Sequence, residues 1–238
     1  MTGISVIMPS YLGEYTGSRK DPEKKFVRAV QSFLENTLLN KELIIVSDGC
    51  QSTIDIYESK FKKYDEISLI QVEKRKEPWP GELRECGRSL AKYDWITYLD
   101  TDDIYLNSHL YLIEQAVLSK KEETTVFINS AYILPLPLNP TKRMLAYVGM
   151  DIIEYNKLRN KSNELYQNKV IMSNAMGANG TWQIVHHKHV PHRWKNTDKM
   201  GEDKLFIENL KSTESLERFK GGYFICHNTI DRETIWEV

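Results

Sequence analysis

Four times within its first 120 residues the chain passes from a short apolar run to an amphipathic one, and this alternation restricts the folds open to it. Ile4 to Met8 reads as an apolar strand stopped by Pro9. Asp21-Pro22 then makes a helix start, with Asp able to cap and Pro preset for the first turn. Phe26, Val30, Phe33 and Leu34 fall on one helical face. Leu43-Ile44-Ile45-Val46 is continuous apolar sequence, the pattern of a strand buried on both sides. Ile54, Tyr57, Phe61 and Tyr64 form a second helical stripe, and Ile67 to Val72 a third strand. Leu83, Cys86, Gly87 and Leu90 line a third helix, and Trp95 to Leu99 is a fourth strand. Leu106, Leu110, Ile113 and Val117 follow as a helix. Repeated βα units predict a mostly parallel sheet with helices on its faces. Further on, Thr125 to Ile128, Thr181 to His186 and Phe224 to Cys226 read as strands and Asp203 to Lys211 as a helix, while the pattern weakens over 141–178.

A chain of 238 residues can bury a sizeable core as one domain or as two small ones. The net charge of −1 excludes a nucleic-acid binder held by a general basic field. No apolar run is long enough to cross a bilayer, so no transmembrane segment is expected. Met1-Thr2-Gly3 leads straight into the first strand with no basic leader. The expected setting is therefore cytoplasmic, with peripheral association at the inner membrane face left open. Cys50, Cys86 and Cys226 are widely spaced and read as reduced thiols.

The strand ends carry the polar residues. The fourth strand runs into Asp100-Thr101-Asp102-Asp103, three carboxylates within four residues. Like charges this close resist ionising together. A hard divalent ion such as Mg²⁺ or Mn²⁺, which takes oxygen ligands, removes that penalty. The other reading is a solvated turn that caps the next helix. The first strand ends in Pro9-Ser10-Tyr11 and the second in Ser47-Asp48-Gly49. In a parallel sheet these ends share the edge where open α/β sheets bind ligands. Asp48 could accept an N–H from a nucleobase or simply belong to a turn, and Tyr11 could flank the base or pack.

These residues resemble a known family. Ile4-Ser5-Val6-Ile7-Met8-Pro9-Ser10-Tyr11, Glu42-Leu43-Ile44-Ile45-Val46-Ser47-Asp48-Gly49 and Tyr98-Leu99-Asp100-Thr101-Asp102-Asp103 look like a family 2 glycosyltransferase of the GT-A fold. Arg84 and Gly87 stand where such enzymes carry an Arg-rich helix start, and Gly201-Glu202-Asp203 is similar to the family's acidic pair opening a helix. The resemblance implies an α/β GT-A domain over 1–238, with a mixed, mostly parallel sheet flanked by helices. Its nucleotide and metal half would span about 1–120 and its acceptor half about 121–238.

The resemblance also implies roles. Ser10, Tyr11, Asp48 and Arg84 would bind the nucleotide, most often uridine. Asp100 would lie near the ribose or reach the metal through water, with Asp102 the direct metal ligand and Asp103 either contributing or capping the following helix. Asp203 would be the general base, against the plainer reading of helix N-terminus electrostatics. Glu202 would bind acceptor. Some enzymes of this fold complete the metal shell with a late histidine, which makes His227 a ligand candidate suited to Mn²⁺, beside a purely structural role. Trp182 is an acceptor candidate through its aromatic face, or a core residue. His186-His187-x-His189-x-x-His192 matches no common zinc motif and reads instead as a strand end lining the acceptor cleft.

The implied reaction is a metal-dependent, inverting sugar transfer from a nucleotide-sugar, a UDP-sugar by family habit, to a hydroxyl. The acceptor would be a saccharide or lipid-linked saccharide of bacterial polysaccharide or glycoconjugate synthesis. The chain lacks the Gln-x-x-Arg-Trp motif of processive synthases. Two rivals stand. Gly17-Ser18-Arg19-Lys20 faintly resembles the phosphate loop of sugar nucleotidyltransferases, although Pro9-Ser10-Tyr11-Leu12 occupies the spot where that loop needs glycines. A GT-A-like protein that only binds sugar or nucleotide is the other.

Overall fold

The computed structural model describes residues 2–14, 21–75, 80–130, 132–133, 151–153, 156, 182–194, 202–219 and 223–225. Seven strands form one sheet. In chain order they are β1 (Ile4–Ser10), β2 (Lys41–Asp48), β3 (Ile67–Val72), β4 (Trp95–Tyr98), β6 (Val126–Ser130), β8 (Trp182–His187) and β9 (Leu216–Arg218), and their spatial order is β3-β2-β1-β4-β8-β6-β9. The pairs β1/β2, β2/β3, β1/β4 and β6/β9 are parallel. β8 runs antiparallel to both β4 and β6. The expected mixed, mostly parallel sheet flanked by helices is borne out. A smaller sheet joins β5 (Ile104–Tyr105), β10 (Tyr223–Ile225) and β7 (Tyr132–Ile133) in that order.

The apolar runs of β1 and β2 are buried on both sides because alternate residues point to opposite faces. Val6, Met8, Leu43 and Ile45 enter a core with Phe26 and Phe33 of α1 (Pro22–Leu34) and with Phe61. Phe61 ends the π-helical turn Tyr57–Phe61 that extends α2 (Gln51–Ile56). Ile113 and Val117 of α4 (His109–Leu118) join the same core. Ile7, Ile44 and Val46 enter a second core with Leu83 of α3 (Gly81–Leu90) and with Phe206, Ile207 and Leu210 of α5 (Glu202–Thr213). Each such side chain withdrawn from water contributes about 1.5–3 kcal/mol.

Two local expectations are corrected. α1 does begin at Pro22, but Asp21 sits at φ 52° and its side chain makes no capping bond; its carbonyl accepts the Lys25 N–H at 3.1 Å instead. α4 begins at His109, not near Leu106, so Asp103 is too far away to cap it. That helix start is satisfied from another element, Asn36 Oδ1 accepting the Leu110 N–H at 2.9 Å.

Strand order fixes where a ligand can sit. Successive strands step from β1 to β2 to β3, and the chain then returns to place β4 on the other side of β1. At such a reversal the connections leave in opposite directions and open a crevice outside the carboxyl ends.

Candidate active site

Ser10, Asp48 and the acid turn all lie on that edge. Ser10 pairs with Ser47, which puts Asp48 one residue beyond, and Leu99 N–H bonds the Ile7 carbonyl at 3.1 Å, which brings Asp100 alongside the end of β1. Ser10 is buried, its Oγ 2.8 Å from Thr53 Oγ1. Gly49 turns the chain at φ 58°, and a Cβ there would meet the Lys74 backbone nitrogen at 2.7 Å.

Lys74 and Arg75 follow β3 and close on this corner. Lys74 donates to the Tyr11 hydroxyl at 2.8 Å, and its ammonium lies 4.9 Å from the Tyr11 ring centroid. The bond to Tyr11 raises the Lys74 pKa. Asp48 is gripped by Arg75. Its Oδ1 accepts the Arg75 backbone N–H at 2.9 Å and Nε–H at 3.3 Å, and its Oδ2 accepts Nη2–H at 3.2 Å. An ionised carboxylate offers about four lone-pair sites, so Oδ2 can still accept one N–H without Arg75 leaving. Arg75 Nη1 also stands 3.8 Å from Glu82 Oε2.

The acid turn is tied down from two directions. The Asp103 N–H bonds the Asp100 carbonyl at 3.1 Å, which closes the turn, and Asp103 is buried. Arg28 of α1 donates to the Asp102 carbonyl at 3.0 Å. Arg84 of α3 donates from Nη2 to Asp100 Oδ1 at 2.8 Å; the Arg84 side chain is 8% exposed and that of Asp100 38%. Asp100 therefore keeps one face toward the crevice while the other is neutralised. Among the described residues no three His, Cys, Asp or Glu side chains gather as a metal shell. A donor set of one or two carboxylates fits Mg²⁺ or Mn²⁺ that takes its remaining ligands from substrate phosphates.

Behind Arg84 stands a buried polar relay. The guanidinium carbon is 4.6 Å from the Trp194 ring centroid and 5.9 Å from that of Tyr98. Such contacts contribute about 0.5–2 kcal/mol, more when desolvated. Trp194 Nε1–H bonds the Tyr98 hydroxyl at 2.7 Å, and that hydroxyl is 2.8 Å from His186 Nε2. His186 Nδ1 is 2.9 Å from the His187 carbonyl. A neutral imidazole protonated on Nδ1 satisfies every group: Tyr98 accepts from Trp194 and donates to His186. Burial agrees, pushing the His186 pKa down to about 3 and raising that of Tyr98.

The histidine cluster does not line the same edge. His187 pairs with Trp95, the first residue of β4, which places this end of β8 at the amino edge of the sheet, opposite the acid turn. Trp182, at the other end of β8, pairs in backbone register with Ser130 on the carboxyl side of β4. Glu202 opens α5 and Asp203 follows, half-buried. One turn later Phe206 stacks on Trp194 at 4.1 Å, which ties this helix to the Arg84 corner. His227 and the stretch 17–20 lie outside the described residues.

Lys74, Arg75 and Trp194 are the site residues that the sequence reading missed. A basic pair one residue beyond the third strand was the available signal for the first two. Trp194 carries no such signal in its neighbouring sequence.

Comparison with known proteins follows the same outline. The profile of Glycosyl transferase family 2 matches residues 5–190, more than half of the chain. The chain belongs to that family. An uncharacterized glycosyltransferase of Rickettsia bellii (strain RML369-C) is 31% identical over 107 residues, 44% of this chain and 14% of that protein. Glycosyltransferase GlyG of Streptococcus pneumoniae serotype 4 is 27% identical over 124 residues, 52% of this chain and 38% of that one. The family 2 chain thus spans less than half the length of these relatives. Among solved structures, S. aureus TarS 1–349 superposes with a TM-score of 0.60 at 15% identity, covering 94% of this chain and 60% of TarS. TarS 1–349 in complex with UDP-GlcNAc gives 0.60 at 16% identity, with 100% and 61% covered. At such identity the likeness establishes the fold.

Proposed function

We propose that this domain moves a sugar, with inversion, from a UDP-sugar to an acceptor hydroxyl on a saccharide or lipid-linked saccharide. The observation that carries the reading is the gathering of Ser10, Asp48 and the Arg84–Asp100 pair at one strand-order reversal. A remaining lone pair on Asp48 would accept a base N–H, and Tyr11 would flank the ring. TarS, which shares the fold, forms complexes with UDP and UDP-GlcNAc, and this supports a uridine donor. In this reading one catalytic domain spans 1–238, its nucleotide half about 1–120 and its acceptor half about 121–238.

Asp102, with Asp100 beside it and His227 as a further candidate, would hold a divalent cation whose Lewis acidity stabilises charge on the departing diphosphate. Arg84 neutralises Asp100 and orients its free oxygen. The attacking hydroxyl must lose a proton, and Asp203 would take it. A base close to the cation would lose basicity, so a carboxylate on a separate helix suits the work. Glu202 and Trp182 would meet the acceptor.

Thermal unfolding with UDP, GDP, CDP and dTDP, each with and without Mn²⁺, tests the donor site. A ligand at 100 times its Kd adds about 2.7 kcal/mol, which for this size raises Tm by roughly 5–10 °C. A UDP shift that needs Mn²⁺ and vanishes in Asp102→Ala is expected, followed by UDP release from a UDP-sugar. A shift with another nucleotide would move the donor. No shift with any would favour a protein that does not bind donors, and pyrophosphate exchange would reveal a nucleotidyltransferase.

A further inference from the structure

We propose that Trp194 is a positioning residue that holds Arg84 against Asp100 and sets α5 in register with the donor corner; the functional part of this rests on the donor role given above to the acid turn. The residue is held through its indole N–H, its backbone N–H and its ring face. Nε1–H bonds the Tyr98 hydroxyl at 2.7 Å, the backbone N–H bonds Glu85 Oε2 at 3.3 Å, and Phe206 of α5 stacks on one face at an interplanar angle of 22°. The segment before it is clamped from α3. Arg88 is buried and donates to the carbonyls of Lys188 (2.6 and 3.0 Å), Val190 and His192 (2.5 Å). Glu85 adds an ion pair to Arg193.

Among the described residues, Arg84 links Trp194 to Asp100. A guanidinium is weakly hydrated and stacks readily on an aromatic face. Held at 4.6 Å from the indole centroid, it directs Nη2 at Asp100. Without the indole, Arg84 can swing and Asp100 loses its fixed charge partner. Phe206 lies one turn after Asp203, so the same indole also bears on the helix that carries the proposed base.

The test is a double-mutant cycle on stability, followed by kinetics. Urea unfolding is measured for the wild type, Trp194→Leu, Asp100→Asn and the double variant. Trp194→Met replaces the leucine variant if that one fails to fold. The two side chains communicate through Arg84, so the effect of Asp100→Asn on the unfolding equilibrium should differ by at least about 3-fold between the two backgrounds, the coupling expected of residues in one network. Additive effects would overturn the proposal, whether or not the protein transfers sugar. With a turned-over donor, Trp194→Leu should raise the donor KM about 10-fold with a smaller change in kcat, and Trp194→Phe should restore most of the loss. A uniform fall in kcat at unchanged KM, matching the folded fraction, would also overturn it. Coupling in a protein that consumes no donor would leave the positioning role standing and remove the transfer reading instead.

Discussion

Asp203 is the residue on which the proposed chemistry turns, and its replacement separates binding from reaction. Asparagine keeps its size and hydrogen-bonding edge but cannot take a proton. Asp203→Asn should lower turnover by about 10²–10⁴ while the UDP-dependent rise in Tm persists. Activity near wild type would exclude Asp203 as the base. Ser10, Asp48 and Asp100 were legible because each stands within two residues of the end of an apolar run, and a parallel sheet lines up such ends on one edge. Arg75 and Trp194 were not, because their partners are set by contacts that no local pattern records. Asp48 meets Arg75 only because β2 and β3 pair with Asp48 opposite Val72. Trp194 meets Arg84 only because Arg88 folds the stretch after β8 back onto α3.

At the scale of elements, α3 carries Arg84 to the site, and its approach to the sheet depends on one missing side chain. A Cβ on Gly87 would stand 2.5 Å from Ile7 Cγ2 and 3.2 Å from Val46 Cγ2. Alanine in a helix is favoured over glycine by about 1 kcal/mol, but overpacking a close contact costs about 1–3 kcal/mol. The contact should win. Gly87→Ala should lower the urea midpoint and, by lifting α3, raise the donor KM; a stabilised variant would show that the sheet gives way at Ile7. The four βα units were readable because their apolar periods are long. β5, β7 and β9 span two or three residues each and carry no period to read. The start of α4 moved for another reason, since Asn36, far away in sequence, supplies the acceptor for Leu110 N–H.

At the scale of the whole molecule, each face of the sheet buries one histidine among the described residues, and together they dominate the response to mild acid. His109 packs between Tyr105 and Phe219 on the α1/α4 side, with ring centroids at 4.4 and 5.9 Å. His186 lies within the relay on the α3/α5 side. Burial pushes both pKa values down to about 3. The unfolded chain binds these protons near the ordinary value of about 6.5, so below that pH it carries more protons than the folded one. Stability must then fall as pH drops from about 6.5 toward 3, by up to about 1.4 kcal/mol per pH unit for each histidine. Carboxylates add their own loss below about pH 5, so the interval from 6.5 to 5 isolates the imidazoles. Urea unfolding across that interval should show a steep slope in the wild type and about half of it in either His109→Gln or His186→Gln. In the double variant most of the slope should be lost, leaving the part due to half-buried His187, whose pKa burial also lowers, although the variant is less stable at neutral pH. Glutamine at 186 can still accept from Tyr98, so the relay under Arg84 survives the substitution and the donor KM should move little. If the slope is unchanged in the double variant, the imidazoles are reached by protons in the folded state, and the two cores are less closed than their packing indicates.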